Sequence, residues 1–278
     1  MKQQKKDQFV VAYLGDLSDN AVSGVLSHAR RLAAFLQKGL ILLYVDDPSY
    51  KGPTTDEAEA LLADKKADGE TYCALKGDTK TVIAALPTLL NAVAVVAYAD
   101  AQARRNTPAN AKQLLRNFSE CKTAYLVVQR QFDQQRRQYA PRVGFTVDYL
   151  RESKEKFLWA SYLARFDGSS LFALYVDYSD EGLKQKWYNN MKFLLKFLEG
   201  FKLSFQPVVI GSKPSNIDLQ AVEFAHANAI DMLCCLTTKD KDFLDKLAGP
   251  QEQQTIVNQW QIPILFLNPR DDLYVLCD

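Results

Sequence analysis

Histidine is nearly missing from this chain: its 278 residues hold only His28 and His226, and each falls in a helical stretch. That excludes a three-histidine zinc site and any catalysis that needs paired imidazoles. No metal site is expected. The five cysteines, Cys73, Cys121, Cys234, Cys235 and Cys277, show no C-x-x-C spacing and no even framework, which suits a reducing cytosol. Vicinal Cys234 and Cys235 sit in the apolar run DMLCCL and read as small hydrophobic packing residues. Long apolar runs are absent as well. VVAYL, LILLYV, VAVVAY and ILFL are strand-sized, far short of the roughly twenty residues that span a bilayer. The start, MKQQKKDQFVVAYLGD, carries positive charge, but neither a long apolar region nor a small-residue cleavage site follows, so no export signal is read. Charge of one sign is lacking too, since 34 basic residues face 33 acidic ones and no global field draws nucleic acid or an anionic membrane. The expectation is a soluble, cytoplasmic protein with no nucleic-acid partner and no membrane partner.

Signatures of turnover are also missing. There is no G-x-S-x-G elbow, no G-x-x-x-x-G-K-[ST] and no G-x-G-x-x-G after the first strand. The H-x-G-H and S-G-G-x-D-S motifs of enzymes that form adenylates do not occur either. The acidic pair Asp46 and Asp47 invites a response-regulator reading. That reading needs a further aspartate at the end of a central strand and a lysine after the last strand, and the segments ETYCALKGD and YLVVQR supply neither. The chain is expected not to be an enzyme.

What is present is a hydrophobic content of 47%, enough for sizeable cores, and a repeat. LYVD occurs at residues 43–46 and again at 174–177. VVAYLGD (10–16) answers to RVGFTVD (142–148), Gly77 to Gly211, NAVAVVAY from Asn91 to NAIDMLCC from Asn228, and TAYLVVQ from Thr123 to IPILFLN from Ile262. Order and spacing hold throughout, so LYVD marks the same strand in two copies of one unit. The polar stretch 131–141 reads as a linker between domains 1–130 and 142–278.

Each unit alternates strands with helices. Val22, Val25, Leu26, Ala29, Leu32, Ala33 and Leu36 recur at helical spacing, as do Leu183, Trp187, Met191, Leu194, Leu195 and Leu198. Runs such as LILLYV are continuously apolar, as parallel strands covered on both faces must be. The pattern predicts two tandem doubly wound α/β domains, each a five-stranded parallel sheet of order 3-2-1-4-5.

Several motifs together resemble the universal stress protein family, in the tandem form with two copies per chain. They are a first strand ending in aspartate (Asp16, Asp148), the second strands LLYVDD at 42 and ALYVDY at 173, a glycine before the third helix (Gly77, Gly211), and the closing segment GPQEQQTIVNQWQIPILFLNP. The resemblance covers nearly the whole chain and implies an adenine nucleotide alpha hydrolase-like fold. In nucleotide-binding members it implies ATP or AMP over the carboxyl ends of the strands, with phosphates held by G-x-x-G-x9-G-[ST]. Glycines there let backbone N–H groups approach the phosphates, and a helix N-terminus adds its dipole.

In this chain the second copy keeps only Gly249 of that motif. Leu236 and Lys239 stand at the other glycine positions, and Pro250 replaces the hydroxyl residue and removes a backbone donor. Residues 98–124 of the first copy contain no glycine. The expectation is a non-catalytic, stress-adaptive or regulatory binding protein with a degenerate nucleotide site and no cofactor. Two alternatives stand beside it: ATP or AMP binding through a modified loop, and a protein-interaction scaffold. Any nucleotide is expected in the second copy, with Asp148 and Val176 around base and ribose, Gly249 by the phosphates and Lys239 as a substitute point charge. Asp16 and Val45 hold the matching places in the first copy. The resemblance further implies that the two halves form a pseudo-dimer through their fifth strands, burying Tyr125, Val127, Ile264 and Phe266. A protein partner or small ligand beyond that is expected without being named.

Overall fold

A computed structural model of the chain describes residues 7–237 and 250–269. The chain divides into two units, Met1–Gln135 and Arg136–Asp278.

In unit 1 the order is β1 (Phe9–Tyr13), α1 (Asp19–Leu36), β2 (Gly39–Asp46), α2 (Thr55–Lys65), β3 (Thr71–Lys76), α3 (Thr79–Leu89), β4 (Ala92–Tyr98), α4 (Ala111–Phe118) and β5 (Ala124–Val128). The pairings β3 with β2, β2 with β1, β1 with β4 and β4 with β5 are all parallel, which is the order 3-2-1-4-5. β2 is buried at every position between its two ends, because helices cover both faces of a parallel sheet. Local chemistry sets the helix starts. Thr54 and Glu57 form a reciprocal capping box on α2, and Asp78 accepts the Thr81 N–H at the start of α3. α1 ends where Gln37 turns left-handed and gives its N–H to the carbonyls of Ala33 and Ala34.

Unit 2 repeats the plan with β6 (Arg142–Thr146), a 3-10 turn (Arg151–Ser153), α5 (Lys154–Asp167), β7 (Ser170–Val176), α6 (Glu181–Gly200), β8 (Phe205–Gly211), a second 3-10 turn (Pro214–Asn216), α7 (Ile217–Ala227), β9 (Met232–Leu236), α8 (Pro250–Ile256) and β10 (Ile264–Leu267). Its strands pair β8 with β7, β7 with β6, β6 with β9 and β9 with β10, again all parallel and again 3-2-1-4-5. Pro207, which has no N–H to offer, sits on the outer strand β8, where a proline is tolerated.

The stretch 131–141 is tied down within both units. The Phe132 N–H donates to Ser27 Oγ at 2.9 Å, while the backbone N–H groups of Tyr139 and Ala140 both donate to the Asp167 carboxylate. Tyr139 and Ala140 are buried despite their polar neighbours.

The strand registers shift the repeat by one residue in two places. Tyr13 pairs with Leu43 and Thr146 with Leu174, so Tyr13 and Thr146 share one position. The backbone N–H groups of Leu14 and Val147 then donate to those same two carbonyls. Unit 1 inserts Gly15 before its turn aspartate, and unit 2 does not. At the end of the third helix, the left-handed residues are Asn91 and Ala229, both with φ of 50°, so Asn91 matches Ala229 and not Asn228.

Candidate ligand site in the second unit

At the carboxyl end of β6 the chain turns on Asp148, whose Oδ1 accepts the Leu150 N–H at 2.8 Å. The turn is pinned from α6: Asn190, itself buried, donates through Nδ2 to the carbonyls of Asp148 and Leu150, both at 2.8 Å. Lys156 lies in the first turn of α5 and is only 1% exposed. Its ammonium donates to Asp148 Oδ2 and to Thr146 Oγ1, each at 2.9 Å. The Thr146 hydroxyl, accepting from Lys156, donates onward to Asp218 Oδ1 at 3.1 Å. Asp218 is the second residue of α7, where the helix dipole favours a carboxylate.

A buried ammonium persists only when paired and hydrogen-bonded, and Asp148 with Thr146 meets that need. The electrostatics around it are uneven. Burial is the largest influence on Asp218 and pushes its carboxyl above the ordinary range; Asp148 adds to the shift, while Lys156 and hydrogen bonds with Thr146 and Cys235 oppose it. The Cys235 thiol is held well above its usual value, first by burial and then by Asp218, and burial pushes Cys234 up to about 12. Neither thiol is a nucleophile in that state. Among the described residues, no group of three His, Cys, Asp or Glu side chains is placed to hold a metal ion.

These groups face a cavity of about 810 Å³, within the size range of small-molecule sites. Its wall includes Asp148, Tyr149, Lys156, Ile217, Asp218, Thr237 and Thr255. Among the described residues four carboxylates line it, those of Asp148, Glu152, Asp218 and Glu252, against the single ammonium of Lys156.

The residues singled out by sequence are described in part. Asp148 lines the cavity. Val176 is buried with Tyr178 and Ile217, under the half-buried side chains of Tyr149, Leu183, Trp187 and Ile210, and is not among the lining residues. Lys239 and Gly249, together with the lysines at 241 and 246, lie outside the described residues. In unit 1, Asp16 Oδ1 accepts the Ser18 N–H at 2.8 Å and Val45 is buried in the core. The acidic pair there shapes loops. Asp46 accepts from the Thr55 N–H and hydroxyl, and Asp47 from the N–H groups of Ser49 and Thr79.

The residues that build the site, Lys156, Thr146 and Asp218, are not the ones that patterning picks out. One signal was available: in KEKFLWASYLA, Lys156 stands on the same helical stripe as Ser153, Phe157 and Ala160, all of them buried.

The fold was compared with solved structures. A universal stress protein from Archaeoglobus fulgidus DSM 4304 superposes with a TM-score of 0.69 at 12% identity, covering 95% of this chain and 97% of that one. The chain has the universal stress protein fold. A functionally unknown protein from Pseudomonas aeruginosa PAO1 is similar over 96% of this chain and 94% of its own, with a TM-score of 0.62 at 13% identity. No protein-family model and no curated protein sequence matches. In universal stress protein terms, the unit 2 cavity lies at the carboxyl ends of the strands, where ligands of open α/β sheets bind.

Proposed function

We propose that this chain is a tandem universal stress protein that acts by binding a small ligand in unit 2, without turnover, in a stress-adaptive or regulatory role in the cytoplasm. The observation that supports this most is the acidic cavity around the Lys156–Asp148 pair. A triphosphate brings several negative charges, and among the described residues four carboxylates against one already paired ammonium oppose it. A neutral or cationic organic molecule suits that lining better than ATP or AMP does. The reading is consistent with the degenerate glycine motif and adds a charge argument to it. Pairing of the two halves through their fifth strands, as the resemblance implies, belongs to the same proposal. Among the described residues no helix is long and apolar enough to cross a membrane.

Mass spectrometry of small molecules released when the purified protein is denatured tests the proposal. The expected result is a compound other than an adenine nucleotide. Release of ATP or AMP in amounts matching the protein would overturn the charge argument.

A further inference from the structure

One surface of unit 2 plays no part in the cavity. α5, α6 and the residue that caps α6 expose large apolar side chains: Leu158 is 40% exposed, Phe166 55%, Leu195 46% and Phe201 40%. Isolated exposed apolar residues are ordinary, but Phe166 and Phe201 belong to linked sets of rings. The rings of Phe193 and Phe197 stack at 5.9 Å, and Phe197 meets Phe201 edge-on at 5.3 Å. On α5, Tyr162 touches both Trp159 and Phe166.

Cations are laid over this layer. The Lys154 ammonium sits 4.7 Å from the centre of the Phe193 ring, and the Arg165 guanidinium lies 4.4 Å from Phe201 and 5.2 Å from Phe166. Lys192 covers Tyr188 at 4.6 Å. Lys196 on α6 and Lys202 just beyond its end are exposed. None of these five cations forms an ion pair with a described carboxylate, although other exposed lysines do. Five cations here stand against the exposed Glu199 and the half-buried Glu155 of the same helices, so the overall balance of charge hides a locally basic face.

We propose that this face of α5 and α6 docks on an anionic phospholipid surface. Two properties select that occupant. Exposed aromatic and apolar side chains stand beside long basic ones, the mixture found at a membrane interface, where aromatics enter the headgroup layer and basic side chains reach the phosphates. Unpaired positive charge repels a second copy of the same face and attracts an anionic leaflet. This contact lies on the surface and needs no spanning segment. The proposal departs from the expectation, drawn from net charge, that a membrane is not a partner.

Co-sedimentation of the full chain with vesicles of phosphatidylcholine, with and without phosphatidylserine, tests it. Binding is expected only with phosphatidylserine and is expected to weaken as salt is added. Lys192→Glu with Lys196→Glu should lower partitioning by more than about tenfold. Leu195→Ser with Phe166→Ser, both at exposed sites, should lower it by about tenfold with the melting temperature unchanged. Failure to bind phosphatidylserine vesicles would overturn the proposal. So would binding that ignores these substitutions, or self-association in the ultracentrifuge that the same substitutions abolish.

Discussion

The two units place different residues at one position, and the surroundings of that position differ with them. At the end of the first strand unit 1 has Tyr13, where unit 2 has Thr146. Tyr13 is buried, and its ring meets Phe118 edge-on at 5.8 Å. The phenol folds back over Gly15, where an added Cβ would fall 2.5 Å from the hydroxyl oxygen, so only glycine fits beneath it. In unit 2 the short threonine reaches Asp218 at the start of α7 instead. Lys156 fills the polar space beside it, and a cavity opens in front. One topology thus carries an aromatic plug in one copy and a buried ion pair with open space in the other. Strand order and helix packing do not depend on which is chosen.

The largest expected effect is on the ion pair. Lys156→Ala would leave Asp148 and Asp218 facing buried space with no cation, and breaking one side of such a pair costs about 3 to 5 kcal/mol. Urea unfolding followed by a unit 2 signal, such as Trp187 fluorescence, measures it. A loss below about 1 kcal/mol would show that water, not Lys156, satisfies the carboxylates.

Next in size is the plug. Tyr13→Thr gives unit 1 the residue of unit 2 without its lysine, and removing most of a buried aromatic ring costs about 3 kcal/mol. The loss should appear in unit 1 alone, as faster hydrogen exchange at the ends of β1 and β4. If exchange in β6 and β9 rises equally, the two sites are not independent.

The smallest effect is on pH dependence, and its sign differs between units. The Asp218 carboxyl is raised on folding, chiefly by burial. Its contribution is therefore complete below the unfolded value and is lost as pH rises through the folded one. At Asp47 burial also pushes upward, but hydrogen bonds from Thr79 and Ser49 together outweigh it, so the carboxyl ends below its ordinary value. That contribution is present above the unfolded value and is lost as pH falls through the folded one. Asp218→Asn should gain on the parent chain as pH rises just above the ordinary carboxylate range. Asp47→Asn should fall behind as pH rises just below it. Melting curves across acid pH check both, and equal slopes would contradict the contrast.

Much of the fold was legible in the sequence because burial on both faces writes parallel strands as continuous apolar runs, and helices as stripes. The repeat was legible for the same reason, through LYVD and its neighbours. The one-residue slips were not, because a residue such as Gly15 leaves no mark on hydrophobic periodicity. Asp148 was legible as a strand-end carboxylate. Lys156 was not, since a lysine in a helix is ordinarily read as solvated, and only its partners, brought in from β6 and α7, make its burial tolerable. Val176 shows the converse case: its position in LYVD marks a strand, but the aromatic cover of Tyr178 and Trp187 comes from the following loop and α6.

Recovery of bound small molecule bears most directly on the division of labour between the units. Purified chain is denatured and the released compounds are weighed by mass spectrometry, alongside Thr237→Phe, which places a ring in the unit 2 cavity, and Tyr13→Thr in unit 1. A neutral or cationic compound is expected from the parent chain and from Tyr13→Thr, and none from Thr237→Phe. An adenine nucleotide, or a compound that Thr237→Phe retains, would contradict the assignment of ligand binding to the acidic cavity of unit 2.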